Sequence, residues 1–477
     1  MTTLTEITAS GSVSFGTSGA RGLVADFTPG LCAAFTQAFL HVIGPEPQGL
    51  LIAHDLRPSS PVMAGTCAAA ALEHGCAVIY AGALPTPALA YASLCLGLPA
   101  IMVTGSHIPH DRNGIKFYRA TGEISKADEQ QMLAADVTFR DELPMPPLPP
   151  VDSHAHELYV RRYLDVFASD ALRGMKIGVF EHSSVSRDLM HEVLRGLGAE
   201  TIALGRTDEF VAVDTEAIST EDERQAGAWS NSLRLDAIVA TDGDGDRPML
   251  ADEHGVWMRG DTLGLLCAQA LGVDVIVTPV SSNTAAELSN VAGKVIRTRI
   301  GSPHVIAAMD DAAGPPGNKV VGYEANGGFL LGSDVEIGGR TLRRLPTRDA
   351  VLPLIATMAG AWRRGMTLGA LSQSLPRRFT HSDRLQGVPS QASRDFIGRL
   401  QADPAALAST MAPRSGAVEN VDLTDGLRAA FANGDIVHLR PSGNAPELRC
   451  YAEAGAPETA ATLCAECLGR VRTALGV

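Results

Sequence analysis

Three stretches of this chain follow one grammar, and no other feature narrows its fold as much. Leu50-Leu51-Ile52-Ala53 leads to Ser59-Ser60, an alanine-rich helical pattern, then Ala77-Val78-Ile79-Tyr80 and Gly82. Lys176-Ile177-Gly178-Val179-Phe180 leads to Ser183-Ser184, a helical pattern through Leu197, then Thr201-Ile202-Ala203-Leu204 and Gly205. Asp274-Val275-Ile276-Val277 leads to Ser281-Ser282, a helical pattern from Asn283, then Lys294-Val295-Ile296-Arg297 and Gly301. The second serine and the closing glycine stand 22, 21 and 19 residues apart in the three copies. Each copy reads as a strand, a serine-capped helix and a second strand. Such units build mostly parallel or mixed sheets with helices on their faces. The copies recur roughly every hundred residues, which means duplicated domains and not a solenoid.

A chain of 477 residues has room for about three or four domains. The proline-rich stretch 144–150 cannot continue a helix or a central strand and closes the first unit. Further breaks fall near 255–260 and near 371–379, the latter after an amphipathic helical pattern containing Trp362. The expected α/β architecture is therefore 1–148, 149–256 and 257–372 as three duplicated domains, with 373–477 as a smaller α+β domain. In that last part, 436–439 and 448–452 read as strands and 457–475 as a helix.

Composition excludes several functions. The formal charge is −14, which argues against nucleic acid as a partner. Residues 1–12 have neither the basic start nor the apolar core of a signal peptide, and no long apolar run follows. The expectation is a soluble, cytoplasmic protein with no membrane partner, as monomer or homodimer. Cys464 and Cys467 have redox or zinc spacing, but no second ligand pair accompanies them and they fall in a helical pattern. They read as small buried hydrophobes.

Chemistry gathers in loops that follow apolar strands. After the run 99–103 comes Thr104-Gly105-Ser106-His107-Ile108-Pro109, then Asn113-Gly114-Ile115-Lys116 on a returning strand. This predicts Ser106 exposed at a strand end, with an imidazole and an amine close by. After 237–240 comes Asp242-Gly243-Asp244-Gly245-Asp246-Arg247. Three carboxylates at alternate positions can turn inward on one hard divalent cation. An EF-hand is excluded, because Arg247 stands where its turn needs glycine and the flanks are strand-like. Arg440-Pro441-Ser442-Gly443-Asn444 and Phe15-Gly16-Thr17-Ser18-Gly19-Ala20-Arg21 each combine guanidinium, hydroxyl and glycine N–H groups suited to a phosphate. Neither is a P-loop, and each also reads as a flexible turn. Glu324 and Asn326 follow Val320-Val321 and can grip neighbouring sugar hydroxyls; the same loop reads equally as a glycine hairpin with a solvated glutamate.

Taken in order, these motifs resemble the α-D-phosphohexomutases: the phosphoglucomutases, phosphomannomutases and phosphoglucosamine mutases. The match runs from about Phe15 to Ala454 and includes the opening Phe-Gly-Thr-Ser-Gly-Ala-Arg-Gly. The resemblance implies four domains around a central cleft. It implies that Ser106 carries a phosphate and that Asp242, Asp244 and Asp246, with that group, hold Mg²⁺. His107 and Lys116 would serve proton transfer, and Arg21 and Arg247 would steady the moving phosphoryl group. Glu324 and Asn326 match the sugar-reading loop; Arg440, Ser442, Gly443 and Asn444 match the distal phosphate site. Family members often carry a basic or polar residue after the third-domain glycine, where this chain has Gly301-Ser302-Pro303-His304, so His304 joins the substrate contacts on that ground alone.

The implied reaction interconverts hexose 1-phosphate and hexose 6-phosphate through a hexose 1,6-bisphosphate, which also serves as activator. A small phosphosugar is the expected partner, mannose preferred and glucose accepted. Phosphoglucosamine mutase and phosphoglucomutase remain alternatives within the family, and the amino-sugar enzymes typically have Ser at the position of Asn326. A phosphoserine-dependent phosphatase and a non-catalytic metal-binding relative are the alternatives of a different kind.

Overall fold

The computed structural model describes residues 2–9, 11–16, 19–44, 49–140, 147–314, 317–442 and 446–476. Each repeated stretch folds as two parallel strands of one sheet: Leu50–His54 beside Val78–Ala83, Lys176–Phe180 beside Glu200–Leu204, and Val275–Pro279 beside Lys294–Thr298. A third parallel strand lies on the other side of the first: Ala100–Val103, Ala237–Thr241 and Val320–Tyr323 respectively. The chain then reverses into an antiparallel neighbour: Arg112–Arg119, Pro248–Ala251 and Phe329–Leu331. The three loops that make this reversal are 104–111, 242–247 and 324–328. They carry Ser106, the aspartate trio and Glu324, so the three chemical loops occupy one topological position in three copies of a unit.

The fourth sheet is wholly antiparallel, in the order Phe379–Gln386, Glu447–Ala454, Ile436–Pro441, Leu427–Phe431 and Val418–Asp422. The helix Pro457–Leu475 follows it, as its pattern predicts, and carries buried, free Cys464 and Cys467. One apolar cluster runs from Leu51 to Leu375 through the first three sheets, whereas the last sheet has its own core between Leu385 and Val471. Among the described residues no helix is long and apolar enough to cross a membrane.

Two expectations need correction. The repeated serines do not cap helices. Ser60 Oγ donates to Asp55 Oδ1 at 2.5 Å, Ser184 Oγ shares a 2.6 Å hydrogen bond with Thr241 Oγ1, and Ser282 Oγ accepts from Thr278 at 2.7 Å. A hydroxyl at a strand end finds a polar side chain beneath the chemical loop before it finds a helix N–H. The third helix also shrinks to Ala285–Leu288.

A polar knot ties the first three units together. Tyr159 and Tyr163, on the helix His154–Leu164, donate to the two oxygens of Asp349 at 2.7 and 2.5 Å. Arg162, from the same helix, lies over the ring of Tyr91, 4.7 Å away, and donates to Arg343 O at 2.8 Å. All these side chains except Tyr91 and Arg343 are almost wholly buried. Breaking a buried, hydrogen-bonded charge by removing one partner costs about 3–5 kcal/mol. Asp349→Ala is therefore expected to destabilise the protein by that amount in a urea titration, and Tyr163→Phe by less.

Candidate active site

Ser106 is fully buried, not exposed as its sequence setting suggests. The reason is the second sheet's loop, which closes over it. Ser106 Oγ donates to Asp242 Oδ2 at 2.7 Å, and its φ of 52° places it in the left-handed region. A non-glycine residue is held there only when its surroundings dictate it. Those surroundings are Arg57 and Asp55. The Arg57 guanidinium donates to the carbonyls of Ser106, Ile108, Pro109 and Arg112 at 2.6–2.9 Å. Asp55 accepts from Thr104 Oγ1 at 2.7 Å, and Thr104 Oγ1 accepts the Ser106 N–H at 2.8 Å. Gly105 makes room, since a Cβ there would lie 2.5 Å from the guanidinium. Neither Arg57 nor Asp55 stands out in the sequence; the available signal is a charged pair directly after an apolar strand.

The aspartate trio is buried and folded inward, with one oxygen of each within 4.8 Å of the others. Asp242 Oδ1 accepts the backbone N–H groups of Asp246 and Arg247, each at 3.2 Å. Lys116 Nζ donates to Oδ2 of Asp244 at 2.7 Å and of Asp246 at 2.8 Å, and Thr86 donates to Asp244 Oδ2 at 2.6 Å. Arg348 adds 3.1 and 2.9 Å contacts to Asp246 Oδ2. The protein's own cations therefore supply much of the balancing charge. The outer oxygens, Oδ1 of Asp244 and Asp246, are buried with no hydrogen-bond partner. Orphaned anionic oxygens beside Asp242 and a serine hydroxyl fit a hard divalent cation with oxygen ligands.

Burial pushes Asp242 well above the usual carboxylate range, and its two neighbours push it further. Burial would do the same to Asp244, but the Lys116 ammonium overrides it and holds that group low. His107 Nδ1 stands 3.3 Å from Ser106 Oγ. Burial, then Arg247 and Arg21, press its pKa down to about 2, so the imidazole is neutral. Arg21 is itself lowered to about 10 by burial and by the charges of Arg247 and Arg348. These groups thus crowd one charged centre: Ser106, His107, Lys116, Arg21, Arg247 and the three aspartates.

Glu324 is buried at the far side of that centre, 3.7 Å from Arg348, with Oε1 unpaired by hydrogen bonds. Burial raises its pKa against the opposing pull of Arg348. With Asn326 it faces a cleft also lined by Arg259, His381, Arg449 and Tyr451 of the third unit and the last sheet. His304 lies within the electrostatic reach of Arg299, Asp425, Lys126 and Arg440. Arg440 pairs with Asp425 at 2.8 Å, and Ser442 N–H donates to Glu447 O at 2.9 Å. Gly443 and Asn444 lie outside the described residues.

Four models of the phosphoglucomutase/phosphomannomutase family match in order: α/β/α domain I over residues 12–142, domain II over 157–255, domain III over 259–379 and the C-terminal domain over 395–469. The chain belongs to this family. It is 46% identical over 466 residues to a phosphomannomutase of Salmonella muenchen, covering 97% of this chain and 96% of that protein. It is 42% identical over 474 residues to a phosphomannomutase of Sinorhizobium fredii, covering 97% and 99%. A phosphoglucomutase/phosphomannomutase family protein from Burkholderia thailandensis has a solved structure with a TM-score of 0.74 at 20% identity, covering 99% of this chain and 98% of that one. The four-domain arrangement read from the sequence is thus the family's own.

The burial of Ser106 sets what its removal should do to stability. Ser106→Ala strands Asp242 Oδ2 and is expected to lower stability by about 1–3 kcal/mol. A denaturation curve superimposable on that of the unaltered protein would contradict this.

Proposed function

We propose that this protein is a phosphohexomutase that interconverts hexose 1-phosphate and hexose 6-phosphate, with mannose preferred and glucose accepted. The observation that carries the reading is the contact of the Ser106 hydroxyl with Asp242 at the rim of a buried carboxylate trio. A hydroxyl so placed suits a phosphate carrier whose charge a cation and arginines must balance. The near full-length identity to two phosphomannomutases points to mannose.

Phosphoryl transfer needs positioning and charge neutralisation more than covalent machinery. Phospho-Ser106 would give its phosphoryl group to the free sugar hydroxyl; the P–O bond to serine breaks as the bond to the sugar oxygen forms. The hydroxyl proton must leave to a neighbouring base. His107 is neutral and already 3.3 Å from the serine oxygen. Lys116 is committed as a cation to two aspartates in this geometry and would accept a proton only after giving one up. Mg²⁺, held by Asp242, Asp244, Asp246 and the phosphoserine, would supply positive charge to the transferring phosphoryl oxygens. Arg21 and Arg247 would bind those same oxygens. The bisphosphate then turns over and returns its other phosphate to Ser106. Arg440 and Ser442, with Gly443, Asn444 and His304, would bind the idle phosphate. Two anion sites flanking a sugar site serve an intermediate that reverses, which a phosphatase has no need to bind.

Glu324 and Asn326 would read adjacent hydroxyls, O3 and O4. Mannose and glucose agree there and differ only at C2.

Intact mass of the active protein is expected to show one added phosphate, absent in Ser106→Ala. ³¹P NMR should show 1-phosphate converting to 6-phosphate without inorganic phosphate. Release of inorganic phosphate in its place would make the protein a phosphatase. Mannose and glucose 1-phosphates should differ in kcat/KM by less than about a hundredfold, and galactose 1-phosphate, inverted at C4, should fall well below both. Chelation should abolish turnover and Mg²⁺ restore it, with calorimetry showing weaker Mg²⁺ binding in Asp244→Asn.

A further inference from the structure

Arg348 has no part in the motifs above, yet it touches two of them. It stands on the strand Leu345–Asp349, which pairs with Phe329–Leu331 directly after the Glu324 loop. Its side chain is 4% exposed. Nε and Nη2 both point at one atom, Asp246 Oδ2, at 3.1 and 2.9 Å, while Nη1 lies 3.7 Å from Glu324 Oε1. Lys116 takes the same Asp246 oxygen at 2.8 Å. Oδ2 is thereby saturated by two cations, whereas Oδ1 accepts no hydrogen bond, with Arg247 Nε 3.8 Å away, and is the oxygen left for a metal. Gly328 is part of the arrangement. A Cβ at that position would lie 2.4 Å from Arg348 Cδ, so only a bare backbone lets the arginine pass through the sugar-type loop to reach Asp246.

We infer that Arg348 is a positioning residue that joins the metal loop to the sugar loop: one guanidinium selects which oxygen of Asp246 faces the cation, and the same group holds Glu324 in the cleft. A lysine ammonium could still meet Asp246 Oδ2, but only the guanidinium fork reaches Asp246 and Glu324 at once. Groups that orient a metal-bound carboxylate typically change metal affinity 10–100-fold when removed. Because binding free energies are reciprocal, a cation at Asp246 and a sugar at Glu324 should each alter affinity for the other through Arg348. The inference rests on the reading of these loops as metal and sugar sites, and the test separates the two.

The experiment is calorimetric titration of the full chain with Mg²⁺ alone, then with mannose 1-phosphate in the absence of metal. Arg348→Met is expected to weaken Mg²⁺ binding about 10–100-fold and to weaken sugar phosphate binding too. Glu324→Gln should cost sugar affinity in the native background and little further in Arg348→Met. Arg348→Lys keeps the buried charge and carries the test if the methionine variant does not fold. It should regain most of the Mg²⁺ affinity while staying weak for the sugar. Native Mg²⁺ affinity in Arg348→Met, independent losses from Arg348→Met and Glu324→Gln, or a lysine variant native in both titrations would each overturn the inference. Unaltered protein that binds Mg²⁺ at this loop but isomerises nothing would remove the mutase reading and leave this one standing.

Discussion

Three carboxylates packed within one loop and shut away from water are the constraint around which the rest of this protein is arranged. Unpaired, each such charge costs several kcal/mol to bury. The fold answers with Lys116 from the first sheet and Arg348 from the third, both inside and both on Asp246. Neither comes from the domain that owns the aspartates. The acidic loop can therefore exist in this form only where three domains meet, and the domains meet in this register partly because the charges require it. What Lys116 and Arg348 leave without a hydrogen bond, Oδ1 of Asp244 and of Asp246, are the oxygens that fit a metal, with Arg247 Nε 3.8 Å from the latter.

Rigidity around the serine follows the same economy. Arg57 spans four carbonyls of the loop and lies 3.9 Å from the ring centre of Phe210, from the second unit. A loop so tied keeps Ser106 in a backbone conformation that a free chain would leave. Such pre-organisation matters for phosphoryl transfer, where geometry and charge placement do most of the catalysis. The Asp349 knot extends the tie to the third domain, one residue after Arg348. The last sheet has a separate core and reaches the others through contacts such as Thr284 with Glu453 at 2.9 Å and Arg299 with Thr424 O at 3.1 Å.

The topology explains why this assembly is possible from a repeated unit. In each copy the loop between the last parallel strand and its antiparallel neighbour points to the same end of its sheet. Open α/β sheets bind ligands at such strand ends. Three copies facing one centre bring Ser106, the three aspartates and Glu324 together. Evolution of three different chemistries on one loop position needs only local changes of side chain.

The sequence by itself determined the units and their chemical loops. Strand–helix–strand periodicity is a local property, and so are the alternating aspartates at 242–246 and the turn glycines around them. These could be read because the residues that signal them are neighbours in the chain. It could not show that Ser106 is buried, that the paired serines bind strand-end side chains, or that Arg57 and Arg348 hold the site. Those outcomes depend on atoms more than a hundred residues apart in the chain for Ser106 with Asp242 and for Arg348 with Asp246. A charged residue before an apolar helix looks the same in sequence whether it faces water or a buried carboxylate. Only the packing of three domains decides which, because the cost of an unpaired charge exists only once water has been excluded.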